Sequence, residues 1–148
     1  MNLADGLRGV TRLGIDTPPL IYLVESHPRY DSLVVEIFRL IDESRLAGIT
    51  SVVSLGEVLV QPLRDRNTTL RRQYRELLFE RPGLRTVWID PAAAERAADL
   101  RARYGFRLPD ALQLAVAIEE RCEAFLTNDR RLARVRELRV LVLDDLEL

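Results

Sequence analysis

Asp16, Glu57, Asp110 and Asp129 are the side chains whose type and placement in this 148-residue chain could do chemistry together. In open α/β sheets ligands bind beyond the carboxyl ends of parallel strands, so acids at those places carry more weight than others. Asp16 ends a predicted first strand, Glu57 lies one helical turn past the second, and Asp129 follows the Phe125-Leu-Thr-Asn128 run of the fourth. Asp110, after Arg107-Leu-Pro109, opens an apolar helix that must pack on the same sheet. Two like charges about 5 Å apart repel by roughly 3 kcal/mol at an effective dielectric near 20, so such a cluster favours a cation. Oxygen ligands without His or Cys select Mg²⁺ or Mn²⁺ over Zn²⁺. Hard ions of this kind work on phosphodiesters, one lowering the pKa of an attacking water and a second stabilising the leaving oxygen. Thr127 and Asn128 stand beside Asp129, placed to orient water or phosphate. Each acid also has a purely local reading. Asp110 suits an N-cap, Glu57 a capping box with Ser54, Asp129 the cap of a short helix, and Asp16 an Asx-turn. Co-location favours the shared chemistry.

Composition removes several alternatives. Every one of the 22 basic residues is Arg, which excludes Schiff-base enzymes and the phosphate-binding loop that needs a Lys. The one His, His27, lies in a turn-like Ser-His-Pro-Arg stretch and there is no G-x-S-x-G elbow, so a Ser-His-Asp hydrolase has no support. A single Cys, Cys122, cannot form an internal disulfide, which points to a reducing, cytoplasmic setting. The apolar runs are short and interrupted by charge, and the N-terminus lacks the apolar core of a signal peptide, so no membrane segment is expected. A net charge of −1 forbids a uniformly basic nucleic-acid binder. The densest basic stretch, Arg64, Arg66, Arg71, Arg72 and Arg75, could still track an RNA backbone toward the acids. Its bland counterpart is a solvated helix face with pairs such as Arg72 with Glu76.

Positioning these residues requires alternating elements. Periodicity predicts strands at 13–16, 49–53, 85–89 (with Trp88 inside it), 124–127 and 139–143. Helices are expected from Thr17, with Pro18 and Pro19 in its first turn, to about Glu25, and from Tyr30 to Ala47 with Gly48 ending it. Another begins at Ser54 and is kinked or ended by Pro62. Leu70, Tyr74, Leu77 and Leu78 make a further amphipathic helix with the arginines opposite. Asp90-Pro91 opens one that Gly105 stops, a buried helix runs from Asp110 to about Arg121, and a short one covers 129–135. The expectation is a single α/β domain, residues 1–148, with a mainly parallel five-stranded sheet between helices and residues 1–12 as an N-terminal extension.

Four segments in this order and spacing, Gly14-Ile-Asp16-Thr17, Ser54-Leu-Gly-Glu57-Val58, Leu108-Pro-Asp110-Ala-Leu-Gln-Leu-Ala115 and Phe125-Leu-Thr127-Asn128-Asp129-Arg130, resemble the PIN domain superfamily, most closely the VapC-type toxins of type II toxin–antitoxin systems. The likeness spans Leu13 to Leu143. It implies a three-layer fold and a Mg²⁺- or Mn²⁺-dependent endoribonuclease, a homodimer held inactive by an antitoxin protein. Asp16, Glu57, Asp110 and Asp129 match the metal-binding acidic quartet of that family, and Thr127 the hydroxyl beside the last acid. Pro18 stands where members often carry Ser or Asn. The alternatives are a PIN-like module that binds RNA or protein without turnover, and a haloacid-dehalogenase-like phosphatase with Asp16 as nucleophile. The latter needs a second Asp where Pro18 stands. The apolar stripe of the 30–47 helix is wide enough to serve both the core and a dimer or antitoxin contact.

Overall fold

The computed structural model describes all 148 residues. Five short strands, β1 (Arg12–Ile15), β2 (Ala47–Ser51), β3 (Leu84–Val87), β4 (Ala124–Thr127) and β5 (Arg139–Val142), form one sheet in the order β3-β2-β1-β4-β5. Every pairing is parallel, so the mainly parallel sheet expected from sequence is wholly so. Parallel neighbours cannot be joined by a hairpin, and helices therefore carry each crossover. The α-helices are α1 (Leu3–Gly6), which precedes β1, and the crossover helices α2 (Thr17–Val24), α3 (Asp31–Asp42), α4 (Val52–Val58), α5 (Val60–Arg64), α6 (Thr68–Phe79), α7 (Pro91–Tyr104) and α8 (Leu108–Glu119), while a 3-10 turn at Arg130–Arg134 carries the β4–β5 crossover and another lies at Leu143–Asp145. None is long and apolar enough to cross a membrane.

Strand alternation sorts the core into two layers. Leu13, Ile15, Ala124 and Leu126 join Val34, Ile37, Phe38, Tyr74 and Leu78 on one side. Ile49 and Phe125 join Ala97, Leu100, Leu114 and Ala117 on the other. Gly14 lies in β1 beneath α8, where an added Cβ would sit 2.7 Å from Ala117 Cβ and 2.9 Å from Phe125 Cδ1. A side chain at position 14 would hold α8 off the sheet.

Several boundaries differ from the sequence expectation, each for a local reason. β2 ends two residues early because the Ser51 hydroxyl accepts the Val53 N–H at 3.1 Å and starts α4 there. Ser54 is thus inside the helix and not its cap. The break expected at Pro62 falls at Leu59. Pro62 crowds the carbonyl four residues before it, and that residue, Val58, is where α4 stops. The helix from Tyr30 ends at Asp42, and the chain turns through Ser44 at φ 59°. Gly48 is instead a packing residue of β2, where a Cβ would meet Ile41 at 3.0 Å and Leu84 at 3.1 Å. α8 starts at Leu108, which places Asp110 in its first turn and not at its cap. β3 stops at Val87, leaving Trp88 beyond it. Residues 1–12 hold α1 and buried Leu3 and Val10. They are tied to the other chain end, the Leu3 N–H donating to the Glu147 carbonyl at 2.7 Å and the Glu147 N–H to the Met1 carbonyl at 2.9 Å.

Gly14→Ala should destabilise the fold by about 1–3 kcal/mol, since the nearest obstacle is a Cβ fixed to the α8 backbone. Urea unfolding measures this, and an unchanged midpoint would mean that α8 has room to rise.

Candidate active site

Because all strands run one way, Ile15, Ser51, Val87 and Thr127 end at a common edge. Asp16 is the first residue past β1, only 5% exposed, with its N–H donating to the Leu126 carbonyl at 2.9 Å. Its Oδ1 accepts the Thr17 N–H at 2.9 Å and its Oδ2 the Thr127 hydroxyl at 2.7 Å. Thr127 Oγ1 in turn accepts the Asp129 N–H at 3.0 Å, so one hydroxyl joins the ends of β1 and β4. Burial is the main force on the Asp16 carboxyl and pushes its pKa up to about 6. The two hydrogen bonds oppose that rise, while the charges of Asp110 and Glu57 add to it. Two of the other expected acids, Asp110 and Glu57, are therefore within electrostatic reach of Asp16.

A buried polar network fixes Glu57, and its direction of donation is determined. Thr50 donates to the Ile15 carbonyl at 2.8 Å, so the 2.8 Å contact between Thr50 and Ser54 uses the Ser54 proton. Ser54 Oγ accepts from Gln113 Nε2 at 2.8 Å, and the second Nε2 hydrogen goes to Thr17 Oγ1 at 3.0 Å. The Ser51 hydroxyl donates to Gln113 Oε1 at 2.5 Å. Thr17 is left to donate to Glu57 Oε1 at 2.7 Å. Reversing the Gln113 amide would take the Thr17 proton away from Glu57 and leave Ser54 without one for Thr50. No buried side-chain nitrogen or oxygen lacks a partner. Glu57 is held by Thr17 and not by a capping box.

Thr17, Thr50, Ser51 and Gln113 were not among the expected site residues. Gln113 carried a readable signal: it is the one polar side chain between Ala111 and Ile118 in an apolar helix, three residues and one helical face from Asp110. It is 3% exposed.

The outer acids are held differently. Asp110 faces the Arg107 guanidinium at 3.7 Å. Asp129 caps the 3-10 turn after β4 through the Arg131 N–H at 3.0 Å and binds the Arg131 guanidinium at 2.6 Å. That contact holds the Asp129 carboxyl below the usual carboxylate range. Asp129 is turned to Arg131, and no three side chains among Asp16, Glu57, Asp110 and Asp129 are disposed around one ion. The donor set still suits a hard cation: four carboxylates and a hydroxyl, all oxygen, with the innermost acid desolvated beside two like charges. Cys122 takes no part, for burial pushes its thiol up to about 12. A cavity of about 590 Å³ between α1 and α3 contains none of these acids.

Arg64, Arg66, Arg71, Arg72 and Arg75 are all exposed. None lies within ion-pair distance of an acid, and Arg72 does not pair with Glu76. Arg71, Arg72 and Arg75 line an open groove of about 430 Å³ with Thr68, Glu76 and Glu80.

The family model of the PIN domain matches residues 14–138. No curated protein sequence matches the chain. Among solved structures, a toxin–antitoxin complex from Klebsiella pneumoniae is similar at 26% identity and TM-score 0.66, over 89% of this chain and 97% of that one. VapBC2 from Rickettsia felis, bound to a DNA fragment from its promoter, gives 15% identity and TM-score 0.69 over 88% and 98%. DNA-bound VapBC from Salmonella typhimurium gives 18% and 0.63 over 90% and 98%. At these last two identities the likeness is one of fold.

In the folded protein Asp16 keeps its proton up to about pH 6, whereas the unfolded chain releases it near 3.8. Metal-free protein should therefore gain up to about 3 kcal/mol from this group as pH falls from 7 to 4, and lose it again as pH rises through that window. Asp16→Asn should be no less stable than wild type at pH 8 without metal, with its advantage shrinking toward pH 4. Urea unfolding in EDTA at the two pH values decides it; strong destabilisation by Asp16→Asn at pH 8 would make the carboxylate a structural cap.

Proposed function

The chain belongs to the PIN domain family, and from that premise we propose that it is a Mg²⁺- or Mn²⁺-dependent endoribonuclease, the toxin of a toxin–antitoxin pair. The observation that carries the reading is Asp16, buried at the carboxyl edge of the sheet with the charges of Glu57 and Asp110 acting on it. Asp16, Glu57, Asp110 and Asp129 would hold the cation, which supplies a water of lowered pKa and neutralises charge developing on the phosphate. Thr127 holds Asp16 by its hydroxyl. Thr17, oriented by Gln113, fixes one oxygen of Glu57. Asp129, bound to Arg131 here, would exchange that partner to hold the cation, and the guanidinium groups of Arg131 and Arg107 beside these acids would then be available to the substrate phosphate. Hydrolysis forms a bond from the water oxygen to phosphorus while the scissile P–O bond breaks and the leaving oxygen takes a proton.

The unpaired arginines support RNA as substrate, since guanidinium groups free of carboxylates are the ones available to a phosphate backbone. An antitoxin partner is supported by the toxin–antitoxin complex similar at 26% identity. A homodimer and action in the reducing cytoplasm, consistent with free Cys122, complete the proposal, although the apolar stripe of α3 expected to share a contact, Leu33, Val34, Ile37, Phe38 and Ile41, is buried in the core. A second reading, a PIN-like module that binds RNA or protein without turnover, draws support from the Arg131 bond that keeps Asp129 out of the cluster.

Purified protein should cut a mixed RNA pool in Mg²⁺ or Mn²⁺ and not in EDTA, and Asp110→Asn, prepared identically, should abolish cutting. Absence of cutting with either metal from folded, antitoxin-free protein would favour the non-catalytic module. Replacing Arg71 and Arg75 together by Ala should weaken single-stranded RNA binding and lower the slope of log K against log salt by about 1.4. An unchanged slope would return this face to a solvated surface.

A further inference from the structure

Trp88 is the only tryptophan in the chain, and its side chain is spread on the surface at 72% exposure. A ring this large is mostly buried in folded domains, because leaving its apolar area in water forgoes the largest single hydrophobic gain available. Its place in the fold narrows what could cover it. It is the first residue past Val87, the end of edge strand β3, and Val87 pairs with Ser51 at the end of β2. Continuing the β1–β2 register from Gly14 and Ile49 brings Asp16 level with Ser51. Trp88 thus lies at the same edge as the carboxylates, two strand spacings or about 10 Å from the Asp16 backbone.

The other flank of β3 is basic. α6 packs against β3, with the Thr86 hydroxyl donating to the Leu78 carbonyl at 2.6 Å, and α6 carries the unpaired Arg71, Arg72 and Arg75. Residue 88 therefore follows the end of β3, a strand that pairs with β2 on one side and packs against the arginine helix. A phosphate backbone running from those arginines to the acids would pass it.

We propose that Trp88 is a stacking platform for an unpaired nucleobase of the RNA substrate, one that holds a nucleotide next to the scissile phosphate. Aromatic faces bind single-stranded bases in this way, whereas a paired base inside a duplex offers no free face. The proposal rests on the ribonuclease reading above and adds to it a requirement for single-stranded RNA at the cleavage site.

The test uses Trp88 emission, which no other tryptophan contaminates. The Asp110→Asn protein in EDTA, which cuts nothing, is titrated with single-stranded oligoadenylate and separately with a blunt RNA duplex of equal length. Oligoadenylate should quench the emission and the duplex should not. Binding of dye-labelled oligoadenylate, followed by anisotropy, should weaken about 5- to 150-fold in Trp88→Ala and recover for the most part in Trp88→Phe. Equal quenching by both RNAs, or no quenching with unchanged affinity in Trp88→Ala, would overturn the proposal. So would a concentration-dependent blue shift in RNA-free protein, which would mean that a second copy of the chain covers the ring. If wild-type protein cuts RNA while Trp88 stays silent, only the stacking inference fails. If oligoadenylate quenches Trp88 yet no metal supports cutting, stacking stands and the nuclease reading falls.

Discussion

Keeping a desolvated carboxylate beside two others is the constraint on which the rest of this structure turns. Burial works against the charge on Asp16, and Asp110 and Glu57 work against it further. The surroundings offset this with small, directed contacts. The Thr17 amide, at the start of α2, donates to one oxygen and the Thr127 hydroxyl to the other. α8 reaches Asp16 only because position 14 has no side chain to hold the helix away. Gln113 then occupies the interior of the site, and its three hydrogen bonds hold α8, α4 and the start of α2 in one arrangement. Sheet, helix packing and polar network thus serve the same few atoms.

Much of this was legible in the amino-acid order. Strand β4 falls at the residues expected, because its short apolar run is bounded by polar residues, Glu123 before it and Asn128 after it. Asp90 caps α7 by accepting the Ala93 N–H at 2.8 Å, and Gly105 ends that helix, because capping signals are local. Two misread residues are instead decided by contacts outside their own element. Gly48 looks like a helix terminus until Ile41 and Leu84 are seen to close over it. Ser54 looks like a cap until Gln113, 59 residues later, is found donating to its hydroxyl. The four acids were picked out by strand ends, yet nothing local to Asp129 separates a ligand from the partner of Arg131.

The arginines divide into two populations. Arg39, Arg81, Arg103 and Arg130 are matched to acids at 2.6–2.9 Å on the surface, pairs of modest energetic weight that serve mainly to use up charge. The run from Arg64 to Arg75 is left out of this matching in a chain that has one acid more than it has bases. Glu76 and Glu80 stand in the same groove, yet neither reaches ion-pair distance of these arginines. Local electropositivity is thereby reconciled with a net charge of −1.

Every cation of that face is a guanidinium, and this limits how its positive charge can be controlled. An amine surface can be silenced by acetylation, which removes its charge, whereas methylation of a guanidinium leaves the charge in place. No accessible pH discharges it either. A face of this kind has no off state of its own, so turning it off requires a partner that physically covers it.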